Sequence, residues 1–351
     1  MADPIISPDG KFMWTGTEWI PVPPTSESNA HLNINLRDSA MSGDINITQN
    51  NAEDIAAAMV IALERIGFSG QSSPAELTSS QEAEVEQVLE MSEQLASHGI
   101  EIDPWTEFTL GNAAKLAGRT HSAQQHYLRA LETFRKNGDR IGEATSLNHL
   151  GIIAETRGDL AEAERLQRVS LAINREIGDR RGEAASLNNL GIIAETQGDL
   201  AEAERLKREC LATMREIGDR QGEADSLNNL GSIAQTRGDL AEAERLQRES
   251  LAIKREIGDR HGEATSLNNL GKLIAQTQGD LAEAERLVRE SLAIMREIGD
   301  RSGEADSLIG LGIIASDNGN MAERHRCLAE AVRIQREIGI PIQQWFIDNG
   351  Y

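Results

Sequence analysis

SLNNLGIIAETQGDLAEAERL occupies residues 186–206, and nearly the same string stands at 146–166 and 226–246. Leu187, Leu190, Gly191 and Ala194 recur at i, i+3, i+4 and i+7, which sets them along one stripe of a helix. Gly198 stops that helix. Asp199, with Glu202 three residues on, has the pattern of an N-cap and capping box, and it opens a second helix with Ala203, Leu206, Cys210 and Leu211 facing inward. Gly218 ends the second helix. A helix pair of this length cannot bury its apolar stripe alone, so copies must stack, and the stack has one concave face. The reading is an all-α solenoid.

The period is counted directly. The tripeptide GDR begins at Gly138, Gly178, Gly218 and Gly258, each forty residues apart, and at Gly299 after forty-one. Six units follow: 99–138, 139–178, 179–218, 219–258, 259–299 and 300–339. The first is degenerate but in register, since Leu110, Gly111 and Gly118 stand forty positions before Leu150, Gly151 and Gly158. Residues 340–351, with Pro341, Trp345 and Phe346, are expected to cap the exposed end.

Ahead of the array, residues 1–50 hold the stretch DGKFMWTGTEWIPVPP, which alternates aromatic and polar residues about Gly16 and reads as a small hairpin. It resembles a short Trp-containing element found near the start of many prokaryotic proteins. The runs HLNINL and DINIT have the period-two pattern of strands, and two strands alone are marginal in water. Within residues 51–98 the expectation is a helix over Ile55–Ile66, a Ser-rich linker over Ser69–Ser80, and a capping helix with the stripe Val85, Val88, Leu89, Ser92 and Leu95.

The 351 residues carry a formal charge of -22. Such an acidic surface argues against nucleic acid, whose phosphates need basic residues, and against an anionic membrane. Residues 1–98 hold 15 acidic and 3 basic side chains, so the head is the most acidic part. No apolar run approaches the about 20 residues that span a bilayer. Cys210 and Cys327 have no paired spacing, which fits a reducing, cytoplasmic setting with neither disulfide nor zinc. Seven scattered histidines show no ligand spacing, and no Walker or dinucleotide loop occurs, so neither a metal, a cofactor nor an enzyme is expected.

The pattern of Leu187, Leu190, Gly191, Ala194, Gly198 and Ala203 resembles that of tetratricopeptide repeats. Leu stands for the family's Trp, Ala for its Tyr, and the closing Pro is missing. Units of forty rather than thirty-four resemble the longer repeats of kinesin light chains and of the Leu-Gly-Asn adaptors. That resemblance implies a right-handed solenoid and a scaffold that binds a peptide or helical segment of another protein in its concave groove.

With Gly191 as position 8 and 100° per residue, positions 4, 7, 8 and 11 form the buried stripe and positions 2, 6, 9 and 13 lie opposite. Position 6 holds Asn189, Asn229 and Asn269, with His149 in the same place. Around them come Ile152 and Ile192 at position 9 and Thr156, Thr196, Thr236 and Thr277 at position 13. Amides serve a ligand backbone whatever its sequence. The resemblance implies backbone contact for the Asn before Leu-Gly, carried here onto Asn189, Asn229, Asn269 and His149. The other reading is that near-identical copies keep the ladder as inherited chemistry. Asn188, Asn228 and Asn268, at position 5, are expected to bond between adjacent first helices.

Charges are expected to be local. Glu164 with Arg168, Glu204 with Arg208, Glu244 with Arg248 and Glu285 with Arg289 are i, i+4 pairs of an outer surface. Arg140, Arg180, Arg220, Arg260 and Arg301 each stand three residues before a glutamate and read as ion pairs first, as a site for an acidic peptide second. The forty-first residue of the fifth unit, at or near Lys272, predicts a π-bulge over Lys272–Ile274. The function expected is an interaction scaffold; the alternative is a self-assembling structural protein whose head strands pair between chains.

Overall fold

A computed structural model describes residues 5–6, 12–14, 19–21, 52–68, 77–97, 99–277, 280–342 and 346. The chain divides into two compact units, Met1–Gly142 and Glu143–Tyr351. In the first, strands Phe12–Trp14 and Trp19–Pro21 pair antiparallel with Trp14 opposite Trp19, as the alternating aromatics predict. Ile5–Ile6 adds a third strand beside Phe12–Trp14. The runs at 31–36 and 44–48 lie outside the described residues. Helix Ala52–Arg65 begins three residues earlier than expected, and helix Ser79–Ser97 buries Val85, Val88, Leu89, Ser92 and Leu95. The first helix pair, Pro104–Leu116 and Thr120–Asn137, has an aromatic interior: Trp105 stands edge-on to Phe108 and Phe134, at 5.8 and 4.8 Å between ring centres.

The second unit is helix pairs throughout. Pairs of helices, among them Arg180–Thr196 with Leu200–Glu216 and Arg220–Thr236 with Leu240–Glu256, repeat with the sequence period. Side chains link first helix to first helix, as Gln235 Nε2 to Gln276 Oε1 at 2.6 Å, and second helix to second helix, as Arg215 to Glu249 at 2.6 Å. The unit therefore has a first-helix layer and a second-helix layer. At the C-terminal end Phe346 is buried against Leu328 and Val332.

Most turns of the second unit are made by a Gly-Asp pair, with Gly319-Asn320 in the last repeat. Gly198 has φ +81°, a conformation a side chain resists, and its N–H bonds to Glu195 O while that of Asp199 bonds to Ala194 O. These two bonds close the first helix in a Schellman motif. The Asp199 carboxylate then accepts from Glu202 N at 3.0 Å and opens the second. Only half of the expected capping box forms. Asp199 N–H is already committed to Ala194, so Glu202 turns outward and takes Arg205 through two bonds of 2.8 and 2.7 Å.

The predicted bulge does not form. Helix Arg260–Gln276 is α-helical throughout and has the same 17 residues as Arg220–Thr236. The added residue passes into the turn: Thr277 is the C-cap, in the place that Arg237 holds after helix Arg220–Thr236. Leu273 and Ile274 thereby keep the buried places of Ile233 and Ala234. Rotating that stripe by one residue would expose two large apolar groups, whereas a longer turn costs little. Gln276 takes position 13, and Thr277 lies past the helix with its hydroxyl donating to Ile274 O at 2.8 Å.

An ion-pair clasp recurs at every complete junction. Glu223 is buried, with Arg215 Nε donating at 2.8 Å from the preceding second helix and Arg220 donating from its own first turn. The other arms of these guanidiniums reach Glu249 and Glu256 on the following second helix. Glu183, Glu263 and Glu304 repeat this with Arg175 and Arg180, Arg255 and Arg260, Arg296 and Arg301. The expected local pairing thus holds for Arg180, Arg220, Arg260 and Arg301, doubled by a second arginine eight residues before each glutamate. Inside the clasp small polar groups meet across three junctions, Ser186 donating to Ser170 Oγ at 3.1 Å, Cys210 Sγ lying 3.5 Å from Ser226 Oγ and Ser291 Oγ 3.0 Å from Ser307 Oγ, while Ser170 and Ser250 donate within their own helix pairs to Ala144 O at 2.9 Å and Ala224 O at 2.8 Å.

Two outcomes follow from this packing. A Cβ at Gly271 would stand 2.5 Å from Val288 Cγ2 and 2.9 Å from the Ala284 carbonyl, neither of which moves freely. Overpacking of this kind outweighs the gain of about 1 kcal/mol in helix propensity, so Gly271→Ala should lose about 1–2 kcal/mol in a urea titration. At Glu223 burial opposes the charge, but the hydrogen bonds from Arg215 and Arg220 outweigh it and hold the carboxyl below its usual range. A depressed carboxylate contributes stability above its unfolded pKa, near 4.3, that is lost as pH falls through the folded value. Glu223→Gln should therefore cost about 2 kcal/mol at pH 7, with the deficit shrinking once acid protonates the wild-type clasp. A difference between the two proteins that stays constant from pH 7 to pH 3 would contradict this.

Candidate functional site

The first-helix face carries the residues that the sequence singles out. Asn189, Asn229 and Asn269 are all half-buried there, as are His149, Ile152 and Ile192, while Thr156, Thr196 and Thr236 are exposed. The threonine hydroxyls donate back into their own helices, to Ile152 O, Ile192 O and Ser232 O at 2.9–3.0 Å. They keep only acceptor capacity toward a ligand. His149 Nδ1 lies 3.0 Å from Thr145 O, which fixes that nitrogen as the donor.

What lies under the amides decides their chemistry. In each pair one side chain of the second helix packs on the position 8 glycine: Gln167 on Gly151, Lys207 on Gly191, Gln247 on Gly231 and Val288 on Gly271. These reach the position 5 asparagines from inside. Asn148 Nδ2 donates to Gln167 Oε1 at 3.1 Å, and Gln167 Nε2 returns a bond to Asn148 O at 2.9 Å. Lys207 Nζ donates to Asn188 Oδ1 at 2.8 Å. Asn188 also receives Asn229 Nδ2 at 3.3 Å, the expected bond between adjacent first helices, though it comes from a position 6 residue. Asn228 and Asn268 make no such bond: their Oδ1 atoms are buried without a partner.

Lys207 was not singled out by sequence, although it stands sixteen residues after Gly191 as Gln167 does after Gly151. Its side chain is 1% exposed, and Glu195 Oε1 lies 3.8 Å from the amine. Burial pushes the Lys207 ammonium down, against the pull of Glu195 and Glu155. Burial likewise pushes the Glu195 carboxyl up, opposed by Lys207. Lys254 is held differently, by Asp225 at 2.6 Å and Asp259 at 3.0 Å. Burial lowers its ammonium, and these two carboxylates reverse the effect and raise it.

The second-helix face is also cleft. Leu211, Leu227 and Leu230 floor one cleft, rimmed by Arg215, Glu242 and Arg245, and equivalents lie at two other junctions. The rim charges answer one another: Arg245 pairs with Glu242 at 2.8 Å, and the four expected i, i+4 pairs close at 2.6–2.9 Å. Such a rim attracts a charged partner weakly.

One buried cluster looks chemical. His126 Nδ1 lies 2.7 Å from Glu107 Oε2, and its Nε2 lies 3.4 Å from Ser92 Oγ. His126 and Ser92 are fully buried, however, and the serine hydroxyl donates to Leu89 O at 2.8 Å. The hydroxyl is committed to its own helix and shielded from any substrate, so the geometry serves packing of the capping helix. Among the described residues no three His, Cys, Asp or Glu side chains are grouped to hold a metal, and no helix is long and apolar enough to cross a membrane.

Among solved structures, the chain is similar to the Rap conjugation gene regulator of the plasmid pLS20 in complex with the Phr* peptide, at 17% identity and a TM-score of 0.51, covering 86% of this chain and 80% of that one. The apo quorum sensor NprR from B. thuringiensis superposes at TM-score 0.58 with 14% identity, over 72% and 71% of the two chains. BtubC (BKLC) from P. vanneervenii superposes at 0.50 with 20% identity, over 76% and 95%. A search of curated proteins finds no match. These likenesses concern the fold. The tetratricopeptide repeat family matches residues 104–176, 157–216, 182–256, 222–297 and 262–337. With the glycine contacts and Gly-Asp turns in place along that span, the chain belongs to the tetratricopeptide repeat family.

Proposed function

We propose that the first-helix face between Thr145 and Ile313 is a groove that binds a peptide or helical segment of a partner protein, and that the protein is a scaffold rather than an enzyme. The observation that carries this is the contrast between the two faces. Second-helix charges are matched by their neighbours, whereas the first-helix face presents half-buried amides beside Ile152 and Ile192. Apolar walls interleaved with amides suit an extended chain, whose backbone offers donors and acceptors at regular intervals. The Rap regulator, in complex with the Phr* peptide, is a protein of similar fold that binds a peptide. Asn189, Asn229, Asn269 and His149 would bond its backbone, with Thr156, Thr196 and Thr236 as acceptors at the rim.

The test uses the full chain and a displayed library of short random peptides. Each lost amide contact costs about 1 kcal/mol, so Asn189→Ala, Asn229→Ala and Asn269→Ala combined should weaken retained peptides by about 100-fold at unchanged helicity. Equal retention by both proteins would remove the asparagines from the site.

A further inference from the structure

Two core positions of the first helix pair hold titratable groups where later pairs hold leucine. In the register that aligns Gly111 with Gly151, Glu107 is the counterpart of Leu147, Leu187, Leu227 and Leu267, and His126 of Leu166, Leu206, Leu246 and Leu287. Those leucines are buried in the apolar cores of their pairs. Glu107 and His126 are buried as deeply, and a carboxylate beside an imidazole loses hydration there that two leucines do not. The stack does not need the exchange, since four other pairs close with leucine at both places.

The bonds around His126 fix one ring nitrogen and leave the other with two choices. Ser92, on the capping helix Ser79–Ser97, commits its hydroxyl hydrogen to Leu89 O at 2.8 Å, so its oxygen can only accept. Nε2, 3.4 Å from that oxygen, is therefore the donor. Nδ1 lies between an acceptor and a donor at nearly equal distances, Glu107 Oε2 at 2.7 Å and Arg129 Nη2 at 2.8 Å. With a proton on Nδ1 the ring is an imidazolium that donates to Glu107 and turns Arg129 Nη2 away. Without it Nδ1 accepts from Arg129, and Glu107 keeps Arg129 Nε at 3.1 Å. Glu93, on the capping helix, lies 3.7 Å from Arg129 Nη2 and is the acceptor open to that arm in the protonated state. Among the described residues, the charged groups around the ring are thus Glu107 from helix Pro104–Leu116, Arg129 from its own helix and, through Arg129, Glu93 from the capping helix.

We propose that Glu107, His126 and Arg129 make docking of the capping helix proton-dependent, protonation of His126 Nδ1 releasing an arginine arm to Glu93 and tightening the cap on the first helix pair. Imidazole is the side chain that changes charge between about pH 5 and 8. The docked cap supplies Ser92 as acceptor for Nε2 and Glu93 as acceptor for the displaced arm, and it keeps water from the Glu107 contact; a detached cap withdraws all three. A proton held more firmly in the docked state stabilises docking at the acidic end of that range, and the contribution is lost as pH rises through it. Loosening toward alkaline pH uncovers the stripe Val85, Val88, Leu89 and Leu95.

The experiment follows amide hydrogen exchange in full-length wild type and in the double variant Glu107→Leu, His126→Leu from about pH 5.5 to 8.5. Rates are corrected for chemical exchange at each pH, with helix Leu200–Glu216 as the internal reference. Leucine is the resident of both positions in four other pairs, so the fold should tolerate the change. In wild type, exchange of Ser79–Ser97 relative to the reference should speed up about tenfold from the acidic to the alkaline end, the effect of one proton bound about one pH unit more tightly. The double variant should show a flat profile. A flat wild-type profile, a change of opposite sign, or a slope that survives the double substitution overturns the proposal. Nitrogen NMR of the His126 ring in wild type gives a readout independent of the variant. Nε2 should stay protonated throughout while Nδ1 loses its proton across the range, and a ring whose charge does not change overturns the proposal equally.

Discussion

A buried glutamate held between two guanidiniums sets the geometry of every complete junction. Glu183, Glu223, Glu263 and Glu304 sit at the first turn of a first helix, each reached by one arginine from the helix before and one from its own turn. An isolated carboxylate in that position would cost several kcal/mol in lost hydration. The attraction therefore returns little net stability. It returns direction. Two planar forks converging on one carboxylate tolerate one arrangement of two helices, and the remaining arms extend the constraint to a third, the following second helix. Apolar stacking alone would allow neighbouring pairs to slip or rotate, since leucines pack on leucines in many registers.

That arrangement consumes the charged residues on one side of the unit and leaves the other side to amides. The two faces are coupled through the helix interior. One residue of the second helix lies on the position 8 glycine, and in two repeats it bonds the position 5 asparagine from beneath. Gln167 there exchanges two bonds with Asn148 and Lys207 brings a cation up to Asn188, whereas Gln247 and Val288 leave the Oδ1 atoms of Asn228 and Asn268 without a partner. A core position thus tunes the hydrogen-bonding state of a face position on the neighbouring helix, without itself being exposed.

Much of this was legible in the chain. The forty-residue spacing, the Gly-Asp turns and the i, i+4 pairs depend on local rules, and Gly198, Asp199 and Glu204 with Arg208 behave accordingly. Two things were not. The extra residue of the fifth unit can enter a helix or a turn with equal ease on paper; the choice falls to the turn because Leu273 and Ile274 must stay inside. The capping box failed for a similar reason, since the Asp199 N–H cannot serve two acceptors. Lys207 escaped notice because lysine is ordinarily a surface residue, and only its equivalence with Gln167 and Gln247 marks it as internal. The buried triad-like contact of His126 depends on a helix thirty-four residues away, which no spacing rule reaches.

Near-identity of the repeats has a consequence for recognition. A ladder of equal amides offers a ligand the same bonds in every register, so a segment shifted by one repeat would lose only its end contacts. Specificity is a difference between such competing states, and identical rungs contribute nothing to it. Discrimination must come from the places where the copies differ. On the first-helix face those are position 2, which holds Thr145, Ala185, Asp225, Thr265 and Asp306 in turn, with His149 among the asparagines, Ser232 and Lys272 among the isoleucines, and Gly310 where an amide would stand. In the proposed groove, the residues that would bind along the whole length and those that would fix position are thus separate sets, and the second set is the one in which the repeats have diverged.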